Sequence, residues 1–257
     1  MTDALERIEQ PGERELHEAR REVEALEAQF AQVELDLASV TAALEAFGIR
    51  HDRRIGPVLA ELTRLEALIA RLLADLNPND AERQEQASEA EHTAQQSQDH
   101  ADQARSDDGK PPTVAPDENL KRLYKQAAKL FHPDLARDDA DRRARTAAVA
   151  DANVAFTAAD SQHLQAIIDA WETGHPAPDA SADHAQELAR LRRRAELLRT
   201  AIDNARDQVK RTNESDLAQL RERVIEADAV DHDLLGEIER ELRQEVTDAS
   251  DRLAALA

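Results

Sequence analysis

Between Leu16 and Phe47 the apolar residues fall three and four positions apart without a break: Leu16, Ala19, Val23, Leu26, Phe30, Val33, Leu37, Val40, Leu44 and Phe47. A stripe this narrow cannot enclose a globular core. It asks for another helix laid along it, as in the seam of a coiled coil. Val58, Leu62, Leu65, Ile69, Leu72 and Leu76 repeat the spacing beyond Gly48 and Gly56-Pro57. Pro57 suits the first turn of a new helix, so the region either folds back as a hairpin or continues through a kink. Composition agrees with long helices and thin seams: 34% of residues are charged, and 2% are aromatic, too few rings to fill a large core.

The span 77–115 reads as a polar, disordered linker, because residues 77–113 contain no Leu, Ile, Val, Phe, Tyr, Trp or Met. Such a stretch buries too little to offset its ordering entropy. Residues 116–173 form a helical module, 174–184 a hinge loop, and 185–257 a C-terminal coiled coil. That last region carries Leu188, Leu191, Ala195, Leu198, Ile202 and Val209, slips at Asn213, and resumes with Leu217, Leu220 and Val224. A break near Asp231 precedes Leu234, Ile238, Leu242, Val246, Ala249 and Leu253. The expected fold is therefore all-α: a central hairpin flanked by an N-terminal coiled coil over 1–76 and a C-terminal one. Pairing of these arms between chains implies a homo-oligomer.

Several classes of function are disfavoured. Without cysteine there is neither a disulfide nor a thiolate metal site. The acidic start MTDALERIEQ lacks the pattern of a secretory signal, and no apolar run reaches about 18 residues. A formal charge of −21 opposes nucleic acid and anionic membranes as partners. The nine histidines show no ligand spacing, so no metal and no cofactor are expected. The expectation is a cytoplasmic protein that is not an enzyme.

Against that acidity, "LKRLYKQAAKLFHPD" stands out, with four cations and no acid between Asn119 and Phe131. Pro116-Asp117-Glu118 suits a helix start, and Pro133 disfavours helical geometry at His132. Asp138 or Asp139 can cap the next helix. Leu120, Tyr124 and Phe131 form the apolar stripe of the first helix, Val149, Ala152 and Phe156 that of the second. Leu164, Ile168 and Trp171 belong to a short third helix. The pattern predicts an antiparallel hairpin with its loop at the exposed end.

This stretch resembles helix II and the loop of J-domains, the co-chaperone modules of the DnaJ family. "RTAAVADANVAFTAADSQHLQAI" looks like the third helix of a bacterial subgroup, with Ala152, Asn153, Ala155 and Phe156 followed by Asp160. The resemblance covers about 55 of the 257 residues. It implies that His132, Pro133 and Asp134, together with the basic face of Lys121, Arg122 and Lys125, dock on a DnaK-type heat-shock chaperone and stimulate its ATP hydrolysis. The D-Y-Y-x-x-L-G segment of the first J-domain helix is missing, Gln126 replaces a common basic residue, and there is no Gly/Phe-rich region or zinc module. The rival expectation is a coiled-coil scaffold that keeps an inactive J-like hairpin.

Overall fold

The computed structural model describes residues 11–106, 116–136, 138–174 and 184–256. The first ten residues, the end of the expected linker (107–115) and most of the expected hinge (175–183) lie outside the described residues. The fold is all-α. Its helices are α1 (Pro11–Asp75), α2 (Ala81–Ser106), α3 (Glu118–Phe131), α4 (Asp139–Thr157), α5 (Ser161–Gly174), α6 (His184–Asn213), α7 (Asp216–Asp228) and α8 (Leu234–Leu256). They form two compact units, Met1–Ala42 with Thr113–Asn213, and Ala43–Pro112 with Glu214–Ala257.

In the first unit the α1 stripe is covered by α6 of the same chain. Val23 and Phe30 share a buried cluster with Ala195, Leu198, Ala201 and Ile202, flanked by Leu26 and Leu191. Ion pairs report the direction of the two helices. Glu15 pairs with Arg192 at 3.4 Å and, one heptad further along both helices, Glu22 pairs with Arg199. On the other flank Arg20 meets Glu187 at 2.7 Å, and one heptad on Glu27 meets Arg194 at 3.1 Å. Both partners advance in the same sense, so this stem is a parallel two-helix coiled coil with charge pairs lining its seam. Exposed pairs of this kind contribute at most about 1 kcal/mol each, so the seam supplies most of the stability.

From Ala31 onward α1 buries a second stripe. Leu35 and Ala38 join a core built from Leu120, Leu123, Tyr124, Ala127 and Phe131 of α3, Ala152, Ala155 and Phe156 of α4, and Leu164 and Ile168 of α5. Val149 and Trp171 pack at its edge. All nine residues expected in the core of the module are therefore there. α1 adds Leu35, a brace that the local sequence does not announce.

Capping fixes the ends of the module's helices. Asp117 accepts from the Leu120 N–H at 2.7 Å, and Asp138 from the Asp141 N–H at 2.8 Å. At the end of α4 the Asp160 N–H bonds the Ala155 carbonyl at 2.8 Å, and the Ala159 N–H bonds Phe156 at 3.0 Å. This doubled closure puts Ala159 at φ 53°, where glycine is usual. Asp160 then caps α5 through the His163 N–H at 2.9 Å.

In the second unit α1 runs straight through Pro57, which decides for one long helix over a hairpin. Gly56 helps, because a preceding residue without Cβ avoids the usual clash with the proline ring. Leu62, Leu65 and Ile69 pack with Ala249 of α8, flanked by Leu242, Val246 and Leu253. The C-terminal breaks fall at Asn213 and around Asp231, which has φ 56°. Arg54 binds Asp233 at 2.6 Å and Glu239 at 2.9 Å. A Cβ at Gly236 would meet Asp233 Oδ2 and the Arg54 guanidinium, so a side chain there would push this ion pair aside.

The reading of 77–115 as a disordered linker needs correction, since Ala81–Ser106 is helical. The reason is an alanine stripe. Ala87, Ala90, Ala94, Ser97, Ala101 and Ala104 keep the three-four spacing of a seam, and Ala87, Ala101 and Ala104 are buried. α1 answers with its own small stripe: Gly56, Ala60, Thr63, Ala67, Ala70 and Ala74. A Cβ on Gly56 would lie 3.7 Å from the Ala101 backbone, and Gln84 donates to the Ala74 carbonyl at 3.0 Å. These two contacts run the helices antiparallel. Small residues let the backbones approach closely, so little large apolar surface is needed.

Candidate docking site

α3 carries Lys121, Arg122 and Lys125 on the side opposite its buried stripe, with Arg122 exposed and Lys121 and Lys125 half-exposed. The stripe has the strong one-sidedness of a helix with one face in the core: Leu120, Leu123, Tyr124, Ala127, Ala128 and Phe131 are buried. Lys121 reaches Glu118 at 2.9 Å, which holds that carboxyl below its ordinary value through the hydrogen bond and the lysine charge. Arg122 donates to Asn119 at 3.0 Å. Both are short contacts within the helix at the surface, and they cost little to exchange for a partner.

The hairpin is held by polar struts. The Tyr124 hydroxyl donates to Asn153 Oδ1 at 2.6 Å, and the ring packs on Phe156 at 4.7 Å. Asn153, quoted above only as part of a motif, thus ties α4 to α3. Arg145 donates to Asp141 at 2.9 Å and to the Leu130 carbonyl at 2.9 Å, and its guanidinium lies 5.5 Å from the Trp171 ring centroid. It therefore satisfies the open end of α3 while covering α5. Arg142 and Arg143, on the same helix, are exposed and take no part in this strut.

His132, Pro133 and Asp134 follow α3 directly. His132 leaves the helix at φ −64°, ψ 134°, as the proline demands, and Pro133–Leu135 make one 3-10 turn. The Asp134 N–H donates to His132 Nδ1 at 3.2 Å. That bond assigns the ring proton of the neutral imidazole to Nε2.

The loop is not free at the end of the hairpin, as the sequence suggested. The His132 ring stands edge-on to Phe30 of α1, with centroids 4.7 Å apart and planes at 84°. Its Nε2 lies 3.5 Å from Glu34 Oε1. Leu135 is 3% exposed and belongs to the α1–α6 cluster. Asp134 alone of the triad is exposed, with Pro133 in between. The physical cause is the second stripe of α1, which passes the loop on its way to the module.

Glu34 is a functional candidate the sequence reading missed. It is 6% exposed, and burial, then the nearby Asp134 charge, push its carboxyl up to about 7. Burial, followed by the Glu34 charge, pushes the Tyr124 phenol up as well. Burial and Arg145 hold the His132 imidazole below its ordinary value, against the opposing pull of Asp134. No local signal marked it, because Glu34 sits one position after Val33, beside the Leu16–Phe47 stripe, where a coiled coil ordinarily carries a solvated charge. Among the described residues no group of three or more His, Asp or Glu is placed to hold a metal ion, and no helix is long and apolar enough to cross a membrane. No protein-family model, curated protein or solved structure matches the chain.

Proposed function

We propose that this chain is a J-domain-like co-chaperone that docks on a DnaK-type heat-shock chaperone in the cytoplasm and stimulates its ATP hydrolysis without chemistry of its own. The observation that carries the reading is one strutted hairpin that bears accessible cations along α3 and a proline-fixed His-Pro-Asp turn at the C-terminal end of that helix. A rigid turn presents its groups at low entropic cost, and a basic face in an acidic chain selects an acidic partner. The parallel stem fills its seam within one chain. That favours a role for the α1–α6 arm in tethering a client over homo-oligomerisation.

ATP turnover of the host's DnaK-type chaperone, with and without this protein, tests the reading. Asp134→Asn is the cleanest variant, since the Asp134 side chain is exposed and its loss leaves the stem contacts in place. It should abolish stimulation while leaving the melting temperature nearly unchanged. Lys125→Glu should raise the concentration needed, mainly through slower association, and added salt should do the same to the wild type. Turnover that stays basal at every concentration of wild-type protein sinks the proposal.

The second reading, a scaffold with an inactive J-like hairpin, draws on one observation. His132 is packed beneath α1 and so serves as a joint between module and stem. On that reading His132→Gln loosens the first unit and there is no ATPase effect to lose.

A further inference from the structure

We propose that the α1–α6 stem masks the His-Pro-Asp turn, so that a partner grasping His132 must first displace it from Phe30 and Glu34. The inference rests on the co-chaperone reading and names the regulation of its site. Both ring nitrogens of His132 are engaged, Nδ1 by the Asp134 N–H at 3.2 Å and Nε2 at 3.5 Å from Glu34. One edge of the imidazole is against Phe30, which is itself fully buried. Leu135, three residues on, is seated with Val23, Leu198 and Ile202, so the turn is anchored to both stem helices.

The same site is half open. Asp134 and Arg122 are exposed, and Lys121 and Lys125 are partly so. An acidic chaperone surface therefore meets the α3 cations before it can reach the imidazole. Docking proceeds in two stages: electrostatic encounter on α3, then exchange of the stem contacts of His132 for those of the partner. A masked site lowers apparent affinity by the fraction of time it is open.

Phe30→Leu keeps an apolar side chain in the stem seam and removes the ring that faces His132. Glu34→Ala removes the acid as a second, independent route, should the first disturb the stem. Two readouts are taken on the full chain. Carbethoxylation followed by peptide mapping compares His132 with His163, an exposed histidine on α5 of the same unit. Titration against the host's DnaK-type chaperone gives the concentration for half-maximal ATPase stimulation.

The expected result is slow modification of His132 in the wild type, faster modification in either variant, and a half-maximal concentration lower by about three- to tenfold, the shift that loss of one aromatic contact allows. Adding Asp134→Asn should cancel the gain. Three outcomes overturn the proposal. If His132 reacts as fast as His163 in the wild type, there is no mask. If unmasking leaves the half-maximal concentration unchanged, the co-chaperone reading stands and masking falls. If neither the wild type nor the unmasked variants stimulate, the co-chaperone reading falls and takes the masking role with it.

Discussion

Glu34→Gln should make the first unit more stable at pH 8 and leave it nearly unchanged at pH 5. In the folded chain the Glu34 carboxyl holds its proton to about 7, against an ordinary value of 4.5, mainly because it is buried. The folded state therefore binds a proton more tightly than the unfolded state between those values. By linkage, stability falls as pH rises through that window, and the loss is complete above about 7. At about 1.4 kcal/mol for each pH unit of the gap, the ionised carboxylate costs the native state roughly 3 kcal/mol at pH 8. Glutamine has nearly the same shape, cannot ionise, and still offers an oxygen to His132 Nε2–H. It should remove that cost at pH 8 and resemble the protonated acid at pH 5. His132 works in the opposite sense. Its lowered value means stability falls as pH drops through 6.5. With Glu34 silenced, the remaining slope near pH 6 should therefore change sign. Urea unfolding followed by fluorescence is the assay, because the chain has one tryptophan and Trp171 packs 5.3 Å from Phe131 inside the module. An equal effect of the substitution at pH 5 and pH 8, or a loss of stability at pH 8, would refute the argument.

Ala159→Gly should raise the stability of the same unit by about 1 kcal/mol, since an alanine at φ 53° carries a strain that glycine does not; a lower urea midpoint would contradict it. Ala101→Leu in the small-residue seam of α2 should cost about 1–3 kcal/mol through overpacking against Gly56. Circular dichroism melting reads that change, and a neutral result would mean the two helices can move apart freely. Arg145→Leu should cost about 2–4 kcal/mol, because the Asp141 carboxylate and the Leu130 carbonyl lose the donor they share. Arg145→Lys should recover only part of that in the same fluorescence assay, since one ammonium cannot reproduce the forked geometry.

The sequence by itself determined the helices, their caps and the core of the module. Those features depend on local rules: apolar residues three and four apart, Asp117 and Asp138 ahead of helix starts, Pro133 ending α3, and stripes that must be covered. It also determined that the stripe from Leu16 to Phe47 needs a partner helix. It did not name the partner, because a stripe reports the need for cover and any stripe of matching length supplies it. Tertiary structure chose α6, where charges at heptad spacing agree on both flanks. It turned Ala81–Ser106 into a helix because an alanine stripe gains packing only when a second small stripe lies opposite, and Gly56–Ala74 lies about 30 positions away in sequence. The state of His132 was decided last and least locally. Its triad reads as an exposed turn in any window of the sequence, yet α1, about 100 residues earlier, brings Phe30 and Glu34 onto the imidazole. Long-range packing of this kind sets burial, and burial sets which protons the site holds.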